Sequence, residues 1–281
     1  MNHNTAIIKV WGENLGNFFQ NIISNDINKL SYNSLLYSTM LSPQGKFLYD
    51  FFLKKEQDYY FIEVNKNESE NLIQDLKKYD LRENLNFFLL KDTHVKVLLF
   101  DEALQLMGNL FSSKNYQKRE GFEAFKDPRA KSLFIRLWIN DSKETKKFSN
   151  PDISSEDVLE LHRIKKCIPN SEVDLEKNKS FLLNYRYDEI NAISFKKGCY
   201  IGQENTAKQK YRGKLKYKLK VLKLIKGKFP KLNENILFNE KKIGVMKSSL
   251  SNFGLALIKL DLNTSNNAFE INEKLATISI L

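Results

Sequence analysis

The stretch KLKYKLKVLKLI, residues 214–225, constrains this chain more than any other. Leu215, Tyr217, Leu219 and Val221 alternate strictly with Lys214, Lys216, Lys218 and Lys220. Successive side chains of a strand point to opposite faces, so this period of two predicts a half-buried strand with an apolar side and a lysine side. Short apolar runs follow at Ile236–Phe238, Ile243–Met246, Leu255–Ile258 and Ala276–Ile280, separated by turns bearing Asn, Lys and Gly. Several short strands so closely spaced predict a small barrel or sandwich.

The chain before that point is patterned differently. In ENLGNFFQNIISNDINKL the residues Leu15, Phe18, Phe19, Ile22 and Ile23 recur at helical spacing, and Asn25 and Asp26 supply a stop. LLYSTMLSPQGKFLYDFFLKK reads as two strands about a turn, where Pro43 presets φ and Gly45 tolerates a positive one. YYFIEV, NLNFFLLKD, VKVLLF and SLFIRLWI are further strands, and ESENLIQDLKKYD is a helix with Leu72, Ile73 and Leu76 on one side. Residues 108–128, ending in KDPRAK, read as a surface connection. Ser154 and Asp157 fit a capping box that opens a helix through Val158, Leu161 and Ile164, stopped before Pro169. Strands and helices alternate irregularly, which predicts an α+β fold rather than a βαβ repeat. The expected division is residues 1–204 and 205–281.

Composition excludes several classes. Two cysteines, Cys167 and Cys199, make no disulfide framework and fit a reducing compartment. Runs such as Val97–Phe100 are too short to span a bilayer, and no signal-peptide pattern opens the sequence. A cytoplasmic protein with no membrane partner is expected. Two cysteines and the scattered His3, His94 and His162 match no zinc spacing and fall short of a four-thiolate cluster, so no metal site is expected. The net charge of +11 is compatible with a phosphate-bearing partner and equally with a genome rich in Lys, Asn and Ile codons.

Chemistry concentrates in KKGCYIGQENTAKQKYRG, residues 196–213. Gly198 and Gly202 bracket Cys199, and a short helix after Gly202 would carry Glu204 in its first turn and end at Gly213. A cysteine just ahead of a helix N-terminus, with Lys197 beside it, is biased toward the nucleophilic thiolate. Against this, no His or Asp lies nearby in sequence to complete a relay, and a cysteine can serve as a small buried hydrophobe. Cys167, at a helix end in RIKKCIP, invites chiefly that second reading. Residues 205–220 hold seven basic side chains and no acidic one. The lysines of this strand could line a phosphate backbone, giving an RNA-binding module, or form a solvated edge that resists aggregation.

KGCYIGQE followed by YRGKLKYKL resembles the hallmark of the YgfZ family of folate-binding proteins, relatives of the aminomethyltransferase (T-protein) of the glycine cleavage system. FFQNIISNDINKL, LSPQGKFLYDFFL, DPR, LHRIKKCIPN and GLALIKLD are similar to further family segments, so the resemblance covers most of the chain. Cys167 stands where the family has glycine, and Leu182 and Asn184 stand where relatives carry Pro and Glu. The resemblance implies an α+β, T-protein-like folate-binding body around a central channel, with a small C-terminal β-barrel. It implies tetrahydrofolate as cofactor and a role in assembling or repairing iron–sulfur proteins, including tRNA-modifying enzymes. Iron–sulfur client or assembly proteins would be the partners, with at most weak RNA contact, and the protein a monomer. Turnover is not required by this reading; an aminomethyl or one-carbon transferase is the enzymatic alternative. Lys197, Gly198, Cys199, Tyr200, Gly202, Gln203 and Glu204 match the family motif, with Cys199 as the residue for chemistry, and Asp26 in the matched turn is a further cofactor-binding candidate.

Overall fold

The computed structural model describes residues 4–82, 84–108, 115–140, 143, 144, 148, 155–213, 215–261, 268–272 and 276–281. They cluster into two compact units, one of residues 1–41, 48–159 and 190–201, the other of residues 42–47, 160–189 and 202–281.

The first unit is built on β1 (Thr5–Gly12), which pairs antiparallel with β4 (Tyr59–Asn65) and β5 (Leu85–Leu90). With β2 (Leu36–Leu41) and β3 (Phe47–Lys55) the sheet order is β2-β3-β4-β1-β5. The helix expected after Asn14 is α1 (Leu15–Ile22), and ESENLIQDLKKYD gives α2 (Ser69–Tyr79). Their apolar stripes bury Phe19, Ile22, Leu72 and Leu76 with Ile8, Val10 and Ile62 of the sheet in one core. Each such side chain contributes about 1.5–3 kcal/mol when fully removed from water.

A second sheet has the order β6-β9-β8-β7, from β6 (His94–Leu99), β7 (Tyr116–Arg119), β8 (Phe122–Lys126) and β9 (Phe134–Ile139). Residues 115–126, expected to be a surface connection, are therefore a hairpin. Gly121, at φ 86°, makes its turn, and the alternation of Phe122 and Ala124 buries one face. Residues 109–114 lie outside those described. Helix α3 (Phe100–Met107) also escaped the sequence reading, although Phe100, Ala103, Leu104 and Met107 have helical spacing.

Several buried charges in this unit are paired. Arg136 of β9 reaches Glu63 of β4 and Asp127, while Asp127 also takes two bonds from the Arg129 side chain, at 3.0 and 2.7 Å. Trp138 Nε1 donates to Glu63 at 2.6 Å. The DPR segment is thus a packing device, since removing either partner would leave an uncompensated buried charge.

The second unit contains the expected barrel. Its strands are β10 (Tyr217–Gly227), β11 (Asn235–Phe238), β12 (Lys241–Leu250), β13 (Phe253–Lys259), β14 (Phe269–Ile271) and β15 (Ala276–Ile280), in the order β11-β12-β13-β10-β15-β14. Asn272 nearly closes the sheet: its N donates to Leu237 O, its Oδ1 accepts from Leu237 N, and its Nδ2 donates to Asn235 O. Leu222, Met246, Ile258 and Ile278 fill the interior.

The structure corrects one reading of the lysine strand. β10 pairs with both β13 and β15, so it is no edge and needs no protection as one. Leu219 and Val221 are buried as expected, but so is Leu222 on the opposite face, because the barrel core begins there. Of the four lysines, Lys218 is paired to Glu189 at 2.6 Å, and Lys214 lies outside the described residues.

Helix α4 (Glu156–Lys165) forms where expected, though Ser154 of the capping box lies outside the described residues. Its Arg163 is buried and joins Glu160, Asp174 of α5 (Ser171–Asp174) and Ser248 of β12.

Candidate functional site

In the first unit residues 197–201 of the KGCYIGQE motif are held by the end of α1. An α-helix leaves its last carbonyls without intrahelical partners. Here Lys197 supplies donors: its buried Nζ bonds Gln20 O at 2.6 Å, Ile23 O at 2.7 Å and Asn25 O at 2.8 Å. Ile201 N donates to Asn21 O at 3.0 Å. The cation also lies 4.9 Å from the centroid of the buried Tyr200 ring. Burial pushes the Lys197 ammonium down to about 8, against the pull of the Asp26 carboxylate. All three ammonium hydrogens are engaged by carbonyls, so Lys197 acts here as a clamp.

The Ser24-Asn25-Asp26 turn is the hub of this arrangement. Ser24 Oγ donates to Ala192 O and accepts from Thr39 Oγ1, both at 2.7 Å. Asn25 Nδ2 spans Tyr37 O and Asn191 O, at 2.8 and 2.7 Å. Asn191 Nδ2 in turn donates to Pro128 O at 2.9 Å. Sequence reasoning singled out Asp26 but missed Ser24, Asn25 and Asn191; the available signal was the polar SND run inside an apolar context. Burial opposes the charge of Asp26, but bonds from Asn28 N and Gln20 Nε2, with Lys29 and Lys197 nearby, hold its carboxyl below the usual range. Both bonds fall on Oδ1, leaving Oδ2 without a donor among the described residues.

The motif residues divide between the units. Cys199 is exposed and Lys196 and Gly198 beside it are exposed too. Gly198 has an ordinary φ, and a Cβ there would meet nothing within 4 Å, so no tight bend requires glycine at 198. Gly202 is different: at φ 79° it forms the N-cap of α6 (Gln203–Tyr211), which ends before Gly213 as expected. Gln203 opens the helix half-buried, and Glu204 is exposed with its carboxylate turned to Lys208 at 2.6 Å. Within this second unit the 42–47 turn packs on α6. Asn205 Nδ2 donates to Gln44 O at 2.7 Å, and a Cβ on Gly45 would lie 2.8 Å from Gly202 O. The other thiol, Cys167, is buried, with Sγ 3.6 Å from Leu219 O. Among the described residues no three His, Cys, Asp or Glu side chains converge as metal ligands.

No protein-family model matches the chain. The chain is 27% identical over 216 residues to the mitochondrial iron–sulfur cluster assembly factor IBA57 homolog of Neurospora crassa, a match covering 74% of this chain and 49% of that protein. It is 26% identical over 210 residues to the tRNA-modifying protein YgfZ of Aliivibrio fischeri, covering 74% of this chain and 65% of that one. The chain thus spans about half to two thirds of the length of these relatives. The crystal structure of glycine cleavage system aminomethyltransferase T from Bartonella henselae superposes with a TM-score of 0.74 at 10% identity, over 99% of this chain and 82% of that one. These relatives uphold the resemblance to the YgfZ family, and the T-protein-like α+β fold with its C-terminal barrel is the one observed. The cytoplasmic location expected from the sequence is overturned, because the Neurospora relative is one of several that are mitochondrial.

Proposed function

We propose that this protein is a tetrahydrofolate-binding accessory factor for the assembly or repair of iron–sulfur proteins, tRNA-modifying enzymes among its clients. The observation that carries the reading is an exposed thiol in a clamped frame. Cys199 stands open to solvent while Lys197 and Ile201, on either side of it, are bonded to the end of α1. A thiol so presented can be offered to a client and withdrawn, rather than ligating a cluster permanently. Relatives of this chain carry iron–sulfur assembly in their names, which favours that class of client.

The residues present fit a pterin in one respect. A pterin offers adjacent N–H donors, and Asp26 holds an ionised carboxylate whose Oδ2 is open to accept one. Bound tetrahydrofolate would supply a one-carbon carrier. Asp26 would then orient its ring, Lys197 and Tyr200 would fix the chain around it, and the open space at Gly198 would leave room beside the main chain.

The transferase alternative is less favoured by the electrostatics. General acid–base catalysis works best with a pKa near the working pH. Asp26 is held below the ordinary carboxylate range, and Glu204 is already committed to Lys208. The test is Cys199→Ser. Tetrahydrofolate affinity measured by calorimetry should stay within about twofold, while iron–sulfur enzyme activity in cells depending on this protein should fall to the level of its deletion. A wild-type protein that does not bind tetrahydrofolate, or a serine variant that sustains full activity, would overturn the reading.

A further inference from the structure

The positive charge of this chain is confined to one end. Residues 202–281 hold 16 Lys and Arg against 6 Asp and Glu, whereas residues 1–201 hold 29 against 28. A genome rich in lysine codons would raise the charge everywhere, so composition alone does not account for the asymmetry.

Within the barrel the cations divide again. Those of α6 and the first half of β10 include pairs already made, Lys210 with Asp188 at 2.8 Å and Lys218 with Glu189 at 2.6 Å. Lys223, Lys226, Lys228 and Lys231 are all exposed and have no ion pair with any described carboxylate. A β-bulge between Leu224 and Lys226 creates part of this surface. Leu222 and Leu224 point into the core, Lys223 points out, and the extra residue turns Lys226 outward as well. Gly227, at φ 89°, then leads into the loop bearing Lys228 and Lys231. Lys223 stands opposite Phe253 of β13, and the Lys165 ammonium lies 4.8 Å from the centroid of that half-buried ring. Two carboxylates come near: Glu234 accepts from Lys231 N at 2.7 Å, and Glu270 shares a row with Thr277 and Lys226.

We propose that Lys165, Lys223, Lys226, Lys228 and Lys231 form a track for the phosphate backbone of single-stranded nucleic acid, distinct from the Lys214–Lys220 segment. Lysines at successive outward positions of an extended chain suit a linear polyanion. Lysine acts as a point charge without a planar recognition fork, so binding is independent of base sequence. A membrane surface fits less well. The exposed aliphatic residues here are Ile225 and Leu232, not the continuous apolar face by which peripheral segments insert.

The test uses the full chain and a fluorescent 20-nucleotide oligouridine, followed by anisotropy across salt. If four phosphates are neutralised, affinity should fall about 50-fold between 50 and 200 mM salt, from a log–log slope of about −0.7 per contact. Reversing Lys223, Lys226, Lys228 and Lys231 to Glu should weaken binding at least tenfold. Reversing Lys55, Lys66, Lys77 and Lys91 in the other unit, an equal change of net charge, should weaken it less than threefold. Circular dichroism checks folding, and the quadruple Lys→Gln variant should also lose binding if the Glu variant does not fold. Equal losses in both sets, no oligouridine binding at 50 mM salt, or binding only to vesicles of anionic phospholipid would each overturn the proposal.

Discussion

The two cysteines make opposite use of the same side chain. Cys199 is exposed in the segment that leads into α6, and the groups bonded around it are its neighbours Lys197 and Ile201. Cys167 closes α4, buried, with its sulfur against a backbone carbonyl. Burial pushes the Cys167 thiol up, outweighing the nearby Arg186. A helix C-terminus presents partial negative charge, so the place of Cys167 at the end of α4 adds to burial in opposing its thiolate. Cysteine chemistry here is decided by what the flanking residues hold, not by the cysteine.

The sharpest way to break this contrast is alkylation of the folded protein. With iodoacetamide at neutral pH, Cys199 should react at least about 100-fold faster than Cys167, whose access requires local opening. Mass spectrometry should find one label in the native chain and two in urea. Prompt double labelling of the native protein would remove the distinction.

Next in size is the clamp. Lys197→Met leaves the carbonyls of Gln20, Ile23 and Asn25 buried without their shared donor. The expected loss is about 3–5 kcal/mol in urea denaturation. Lys197→Arg should recover little, because a planar guanidinium does not address three converging carbonyls as an ammonium does. Linkage adds a signature. Below pH 8 folded and unfolded chains both carry this proton, so the group gives no pH dependence. Between about 8 and the ordinary lysine value of 10.5, the unfolded chain still binds a proton that the folded chain has released. Stability attributable to Lys197 therefore rises with pH across that window and is absent from the Met variant. A wild-type minus variant difference that falls with pH there would contradict the assignment.

Legibility followed the same divide between pattern and partnership. The helical stripe of Leu15 to Ile22 is periodic, and periodicity reports which face is buried, so α1 was readable; the alternation of residues 214–221 marked a strand, but the barrel interior takes Leu222 and Leu224 from the face that the lysines occupy earlier. The reading of β10 as an edge failed because strand order is a long-range property that one strand does not encode. Lys197 shows the same limit: its charge is legible, but its three acceptors lie about 175 residues upstream, at separations of 172 to 177. Glycine misled in one case and informed in another. Gly198 faces open space, whereas Gly45, at φ 74°, is required by a carbonyl 2.8 Å from where a Cβ would stand.

The smallest effect tests the most local claim, that Cys167 occupies a glycine position. Its φ is 54°, in the left-handed region, and Cys167 N donates to Ile164 O at 2.8 Å while Ile168 N donates to Arg163 O at 3.1 Å. That pair of bonds is a Schellman termination, whose left-handed residue is most often glycine because a Cβ is strained there. Cys167→Gly alone would confuse relief of strain with loss of the packed sulfur. Cys167→Ala loses the sulfur and keeps the Cβ, so the difference between the two variants isolates the backbone. Glycine should be more stable than alanine by about 1 kcal/mol, although it is the more flexible residue when unfolded. Equal stabilities, or alanine the stronger, would mean that the helix end does not hold residue 167 in the left-handed conformation.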